Sequence, residues 1–302
     1  PFVFIAVVFY SALCGFYFLY MMTIMAGVYA LIRFFDVYKE KRLKEFAAMA
    51  KRIMGTYLLG IGLGAPIFIP AVIGYLTSAR AEMTVKRNYL FYGFNYYFNN
   101  FLDMIAPPGS WDAFSLAAIV WMSLVILLFL SPKKHRNLKW LLAIGGVFYL
   151  IPLGGHIMNG FGYPSQRWTF GLTLLLSYIL VEMLPVLLTL DRKQQLVCFS
   201  SFLFYGFIVF YAGKNRTAYH VFAVAMLAGT LLVLILFGGA KEERKKRIGA
   251  IACILLVIVN VGINGIYRFS KEHANYISDF KPYGSETKRL ETVREREAEP
   301  YL

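Results

Sequence analysis

Three observations predict an all-α fold, a polytopic transmembrane helical bundle. Hydrophobic residues make up 59% of the 302 residues, and the mean hydropathy is +0.58. A membrane-spanning helix needs about 20 residues, and several apolar stretches are close to that length. Basic residues cluster in every second connection between these stretches. Because backbone N–H and C=O groups inside hydrocarbon must be paired within the segment, these stretches are expected to be helices.

We expect about eight to nine spans along the chain. The first apolar block is too long for one helix across a hydrocarbon core of about 30 Å, so we expect a break at Cys14 and Gly15. The segment that ends near Pro152 is short for a span. The expected spans are residues 2–13, 16–35, 53–76, 114–130, 140–153, 168–190, 196–212, 221–239 and 248–266.

The distribution of lysine and arginine predicts which loops face the cytoplasm, because cytoplasmic loops carry an excess of both. Residues 1–266 would form the transmembrane domain, and residues 267–302 the start of an extracytoplasmic segment. The expected cytoplasmic loops are 36–52, 133–139, 191–195 and 241–247. The expected extracytoplasmic segments are 77–113, 154–167, 213–220 and 267–302.

The loop before the third span carries an amphipathic pattern. Within residues 39–52, Leu43, Phe46, Ala47 and Ala50 share one helical face between basic residues. This predicts a helix lying on the inner membrane surface. Such a helix serves either as a connector or as a binding element for a partner.

The third span itself is rich in glycine and proline. Gly60 and Gly64 are four residues apart and predict close contact with a neighbouring helix, whereas Pro66 and Pro70 predict a kink. A transporter would use such an interrupted helix near its binding site. Simple helix packing explains the same residues.

The connection at 154–167 has a high density of side chains that can bind a polar ligand on the expected outer face. Arg167 lies at the membrane edge, where its guanidinium could hold a phosphate group in bidentate geometry. Alternatively, it anchors the chain at the interface together with Trp168. The candidate substrate-binding residues are His156, Asn159, Tyr163, Gln166, Arg167 and, from the preceding outer loop, Asp103.

Three polar residues lie inside apolar spans. A charge at a helix centre costs about 2.5–3.5 kcal/mol on insertion scales, so Glu182 is expected to be protonated, paired or beside a wet cavity, and its role stays open. Asn260 and Asn264 are four residues apart on one helical face. They are expected to form hydrogen bonds between helices.

Several functional classes lack support in the sequence. The net charge of +14 is spread over helix ends and forms no single patch, so we expect membrane lipid as a partner and no nucleic acid. The sequence contains no GxxxxGK motif, no HExxH motif and no Cys/His spacing typical of a metal site. We therefore identify no metal ligand, no cofactor and no catalytic residue from the pattern alone.

The segment NGFGYPSQRWTF at 159–170 resembles the YfhO-like family of bacterial membrane proteins. Three further segments resemble that family in the same order along the chain. They are GFYFLYMMTI at 15–24, GIGLGAPIFIPAV at 60–72 and NNFLDMIAPPGSW at 99–111.

The resemblance implies a GT-C fold in the bacterial cell membrane. It also implies an enzyme that moves a sugar from a polyprenyl-phosphate donor to a cell-envelope polymer such as lipoteichoic acid, on the outer face. GT-C enzymes typically use an acidic residue in the first outer loop. The chain opens at Pro1 inside an apolar run, so we expect an internal fragment whose catalytic acid lies upstream. The need for a divalent metal stays open.

Two other functions remain open. One is a transporter or flippase for a lipid-linked or polar solute, and the other is a non-catalytic envelope scaffold. The sequence shows no clear internal repeat, and its polar residues concentrate at the expected outer edge. Both features favour chemistry at the interface.

Overall fold

The computed structural model describes residues 1–38, 42–77, 88–107, 114–131, 133–213, 217–240 and 242–268, which form helices and no strand. The predicted all-α class is confirmed. The helices within these residues are α1 (Phe2–Cys14), α2 (Phe16–Val37), α3 (Arg42–Leu76), α4 (Phe94–Leu102), α5 (Ala118–Phe129), α6 (Arg136–Leu150), α7 (Pro152–Met158), α8 (Thr169–Leu187), α9 (Arg192–Tyr211), α10 (Ala218–Phe237) and α11 (Glu243–Arg268).

The lengths of these helices fit a multi-pass membrane protein. Among the described residues, α2, α3, α8, α9, α10 and α11 are each long and apolar enough to cross a membrane. The pair α6 and α7 passes the same test together and adds a seventh span if it is counted as one. The other two expected spans correspond to α1 and α5, which are apolar but shorter, with 13 and 12 residues.

The expected surface helix at 39–52 is not a separate element. Residues 39–41 lie outside the described part of the chain, and α3 runs without interruption from Arg42 to Leu76. The amphipathic start continues into the span because good helix formers, chiefly alanine, lysine and arginine, connect the two. Pro66 and Pro70 lie inside this helix without breaking it. Neighbouring helices allow membrane helices to tolerate proline.

The expected span at 140–153 is divided by a sharp bend. Helix α6 ends at Leu150, α7 starts at Pro152, and the two axes differ by 96°. The cause is Pro152, because a proline disfavours helical geometry in the residue before it, and Ile151 is extended with φ −107° and ψ 128°. The expected span at 114–130 also starts later than predicted, since α5 begins at Ala118.

The expected close approach at Gly60 and Gly64 is confirmed, and the partner is α1. A Cβ atom placed on Gly60 would lie 2.8 Å from Cβ of Val8, and one on Gly64 would lie 3.1 Å from Cβ of Ala12.

The centre of the bundle is α5, which packs against α8, α9, α10 and α11. Large side chains of α5, such as Ile126, are fully buried.

Hydrogen bonds at the two ends of α2 distinguish two ends of the bundle. Tyr17 at the start of α2 bonds to Asn159, whereas Asp36 at the other end of α2 bonds to Arg136 at the start of α6. We name the first end, with α4 and α7, the aromatic end. The opposite end, with Asp36 and Arg136, is the basic end. The assignment of the basic end to the cytoplasm stays a prediction.

Candidate functional site

The connection between α7 and α8, residues 159–168, is named the 159–168 turn and is braced by a glutamine. Gln166 is only 3% exposed. Its Nε2 donates to the hydroxyl groups of Tyr92 (3.1 Å) and Tyr96 (3.0 Å). The same Nε2 lies 3.2 Å from the carbonyl oxygen of Tyr149, and Oε1 accepts a 2.9 Å hydrogen bond from Nε1 of Trp168. The amide is fully engaged, so its role in the structure is to hold the turn.

Asn159 connects the same turn to α2. Its Oδ1 accepts a 2.7 Å hydrogen bond from the Tyr17 hydroxyl, and its Nδ2 donates to the carbonyl oxygen of Tyr163 at 2.8 Å. The hydroxyl of Tyr20 donates to the carbonyl oxygen of Ile157 at 2.7 Å. Two tyrosines of α2 therefore fix the position of the turn. Asn159 is buried, and both ends of its side-chain amide have partners within the protein, so its role in substrate binding stays a prediction.

Arg167 is the exposed cation of the 159–168 turn. Its guanidinium carbon lies 6.0 Å from the centre of the Tyr17 ring, a cation–π arrangement. Within the described part of the chain Arg167 forms no ion pair. Tyr163 on the same turn is also exposed. Together with the exposed ring of Phe161, these side chains are available to a ligand.

His156 lies beneath this surface, in α7. Its side chain is fully buried, and neither ring nitrogen has a hydrogen-bond partner among the described residues. Its ring lies 4.9 Å from the ring of Tyr89, centre to centre. A role in substrate binding stays a prediction, and it would require the turn above His156 to open.

Asp103 belongs to a different cluster, at the start of α10. Its Oδ1 lies 3.0 Å from Nε2 of His220, and the backbone N–H of Thr217 donates to Nδ1 of His220 at 2.8 Å. Because Nδ1 accepts, the hydrogen bonds assign the proton to Nε2, which donates to the carboxylate. Asp103 thus contacts α10, whereas Arg167 contacts α2, so these contacts do not join the two residues in one site.

Asn260 forms the predicted hydrogen bond between helices, whereas Asn264 bonds to the connection between α4 and α5. Oδ1 of Asn260 accepts from the backbone N–H of Ala118 at 2.8 Å, at the start of α5. Nδ2 of Asn264 donates to Oγ of Ser115 at 2.9 Å. Both amides also lie near the carbonyl oxygen of Ile105, at 3.3 and 3.2 Å. They satisfy the irregular backbone between α4 and α5, which is a structural role.

Several residues that support the turn were not among the candidates from the sequence. Tyr17, Tyr149 and Asn100 belong to the aromatic end, where the Tyr149 hydroxyl donates to Oδ1 of Asn100 at 2.7 Å. The available signal is tyrosine in place of phenylalanine near the end of an apolar helix, because a buried tyrosine hydroxyl usually requires a partner. Among the described residues, no group of three or more His, Cys, Asp or Glu side chains could hold a metal ion.

Comparison with known proteins settles the family. The family model described as bacterial membrane protein YfhO matches residues 1–300. The chain belongs to the YfhO family. It is similar to "Uncharacterized protein YfhO" of Bacillus subtilis (strain 168), with 25% identity over 185 residues that cover 60% of this chain. The chain spans about 20% of the length of that YfhO relative. No solved structure matches the chain.

Membership of the YfhO family confirms the resemblance carried by residues 159–170. It also agrees with the long apolar helices, and together they show a multi-pass bacterial membrane protein.

Proposed function

We propose that the protein is a membrane glycosyltransferase of the GT-C type. It would transfer a sugar from a polyprenyl-phosphate donor to a cell-envelope polymer, such as lipoteichoic acid, at the outer membrane face. Membership of the YfhO family supports this proposal. The observation that carries it is Arg167, an exposed guanidinium on a braced turn with no ion pair in the described ranges.

The chemistry of the donor explains why a fixed cation matters. When the sugar leaves a polyprenyl-phosphate carrier, negative charge remains on the phosphate. A preorganised guanidinium stabilises that charge, and it can do so through two parallel hydrogen bonds. Tyr163 and the neighbouring exposed Phe161 offer aromatic faces for the apolar C–H surface of a sugar. A general base for the acceptor hydroxyl is also needed, and no described residue is assigned to it.

The proposal places the aromatic end on the outside of the cell membrane. Membrane lipid, the lipid-linked sugar and the envelope polymer are then its partners at this end. The basic end would face the cytoplasm, as the excess of lysine and arginine in its loops favours.

Arg167→Ala in the full-length protein tests the proposal. We expect sugar incorporation into the envelope polymer to fall by a factor of about 100 or more, the usual effect of removing one group that stabilises developing charge. Arg167→Lys should recover part of the activity, because it keeps the charge and loses the bidentate geometry. Arg192→Ala, at the exposed start of α9, is the matched control. Unchanged incorporation by a normally inserted Arg167→Ala protein would contradict the proposal.

One observation favours the alternative of a transporter or flippase. The 96° bend between α6 and α7 places a short helix across the aromatic end, and transporters bind solutes at interrupted helices. Purified protein in vesicles distinguishes the two functions. Movement of a fluorescent lipid-linked sugar across the bilayer without any acceptor would support transport.

A further inference from the structure

A groove of about 1290 Å³ lies between α2, α6 and α8, and its upper part reaches Met158 and Trp168. Its walls are mainly apolar, and its charged residues are confined to one end. Residues that line it include Met25, Tyr29, Ile144, Leu175, Arg33 and Arg136. No role in the proposed sugar transfer uses this groove.

The wall that α2 contributes to the groove is about as long as half of a membrane is thick. At the upper limit of this wall Met25 packs directly against Gly171, where α2 and α8 touch. From Met25 to Asp36 the wall formed by α2 covers three helical turns, about 16 Å. Half of a hydrocarbon core of about 30 Å is similar in length. The α2 wall of the groove therefore matches the depth of a single leaflet, the leaflet at the basic end.

The lower end of the groove carries a cluster of arginines organised by one carboxylate. Asp36 accepts hydrogen bonds from Nη1 of Arg33 (3.0 Å), Nη2 of Arg136 (3.2 Å) and Nδ2 of Asn137 (2.9 Å). The two arginine side chains are 57% and 60% exposed, so each keeps N–H donors for another ligand. Lys133 also lines this end. The cations outnumber Asp36, and the surplus charge is positive.

Glu182 on α8, the acidic residue that the sequence places inside a span, lines the groove as well. Its Oε1 accepts a 2.9 Å hydrogen bond from the hydroxyl of Tyr178, one turn earlier. Its partner is thus a neutral hydroxyl, and Glu182 lies toward the lower part of α8, between the apolar wall and the basic end. The groove is thus apolar in its upper part and polar at its lower end, an arrangement that matches the acyl chain and headgroup of a lipid molecule.

We propose that the groove binds an anionic glycerophospholipid of the leaflet at the basic end. The phosphate would contact Arg33 and Arg136, and an acyl chain would lie along the apolar wall up to Met25. Arginine forks suit phosphate oxygens, and the apolar wall has the length of one acyl layer. Charge complementarity together with this depth favours a phospholipid over an apolar helix, which would leave the arginine donors unused.

Lipid retention by the purified full-length protein tests the proposal. Native mass spectrometry would compare added phosphatidylglycerol with phosphatidylcholine. We expect the double variant Arg33→Gln/Arg136→Gln to bind phosphatidylglycerol about 30-fold more weakly, since each cation contributes to holding an anionic headgroup. The matched control is Arg192→Gln/Lys193→Gln, exposed at the start of α9 and outside the groove. It should bind like the unaltered protein.

A second pair of variants tests the apolar wall without altering charge. Ala26→Phe places a ring in the groove and should reduce retention at least tenfold, whereas Ala225→Phe, exposed on α10, should not. Equal phosphatidylglycerol binding by both double variants would overturn the proposal. So would equal affinity for phosphatidylcholine, or selective retention of polyprenyl phosphate. The lipid-binding assay requires no sugar donor. A protein that fails to bind the lipid and a protein that fails to transfer sugar are therefore distinguishable results.

Discussion

The hydroxyl of Tyr17 donates a 2.7 Å hydrogen bond to Oδ1 of Asn159, which lies 142 residues later in the chain. The ring of the same tyrosine lies 6.0 Å from the guanidinium carbon of Arg167. One side chain of α2 therefore anchors the 159–168 turn and supports its exposed cation. The position of Arg167 depends on α2, although the two are distant in sequence.

Tyr17→Phe removes the hydrogen bond and keeps the ring. We expect a loss of about 0.6 kcal/mol in the free energy of unfolding, the average for hydrogen bonds between membrane helices. A double-mutant cycle with Asn159→Ala in detergent unfolding measures the interaction directly. Tyr17→Leu should cost about 0.5–1 kcal/mol more, because the ring beneath Arg167 is lost as well. A coupling energy near zero would mean that this bond does not hold the turn.

Gln166→Leu should destabilise the aromatic end more strongly. It leaves Nε1–H of buried Trp168 and the carbonyl oxygen of Tyr149 without their present partner, and one buried unsatisfied group costs about 1–3 kcal/mol. Thermal unfolding of the full-length protein measures the change. Gln195→Leu is a useful control because Gln195 makes one longer bond, 3.3 Å to the carbonyl oxygen of Leu190. Equal shifts for both variants would contradict the bracing role of Gln166.

The sequence was sufficient for the helical class because long apolar runs have few alternatives in hydrocarbon. Pro152 also marked where α6 had to end. The sequence did not mark the start of the third span, because its polar first turns favour a helix as strongly as its apolar part. It identified Gln166 and Asp103 as polar residues of interest but not their partners. The partner of Asp103 is His220, 117 residues later in the chain, and only the packed fold brings the two together.

Substitutions of Asp103 separate a structural role from a catalytic one. Asp103→Asn keeps an oxygen that can accept from Nε2 of His220, so the loss in stability should stay below about 1 kcal/mol. Asp103→Leu leaves that buried N–H unpaired and should cost about 1–3 kcal/mol. Unfolding and sugar incorporation are measured for both variants. If Asp103 has only a structural role, sugar incorporation should fall in step with the loss of stability. A 100-fold loss of activity in a stable Asp103→Asn protein would instead identify a general base.

The contact between α1 and α3 offers a comparison within a single helix. An added Cβ at Gly60 would lie 2.8 Å from Cβ of Val8 and 2.9 Å from the carbonyl oxygen of Ile5, whereas at Gly62 no atom lies within 4 Å. Gly60→Ala should therefore push the helices apart and cost about 1–3 kcal/mol, as overpacking does. Gly62→Ala should be neutral or stabilising by up to about 1 kcal/mol, because alanine favours the helix.

Unfolding of the full-length protein in detergent measures the difference between these two glycine variants. Both substitutions add one methyl group to α3, so intrinsic helix propensity contributes equally and cancels in the comparison. The remaining difference reports the contact with α1 alone. Gly64→Ala should fall between them, because its nearest atom is Cβ of Ala12 at 3.1 Å, a contact that a small shift relieves. If all three variants were equally stable, α1 would not pack against this face of α3 in the membrane.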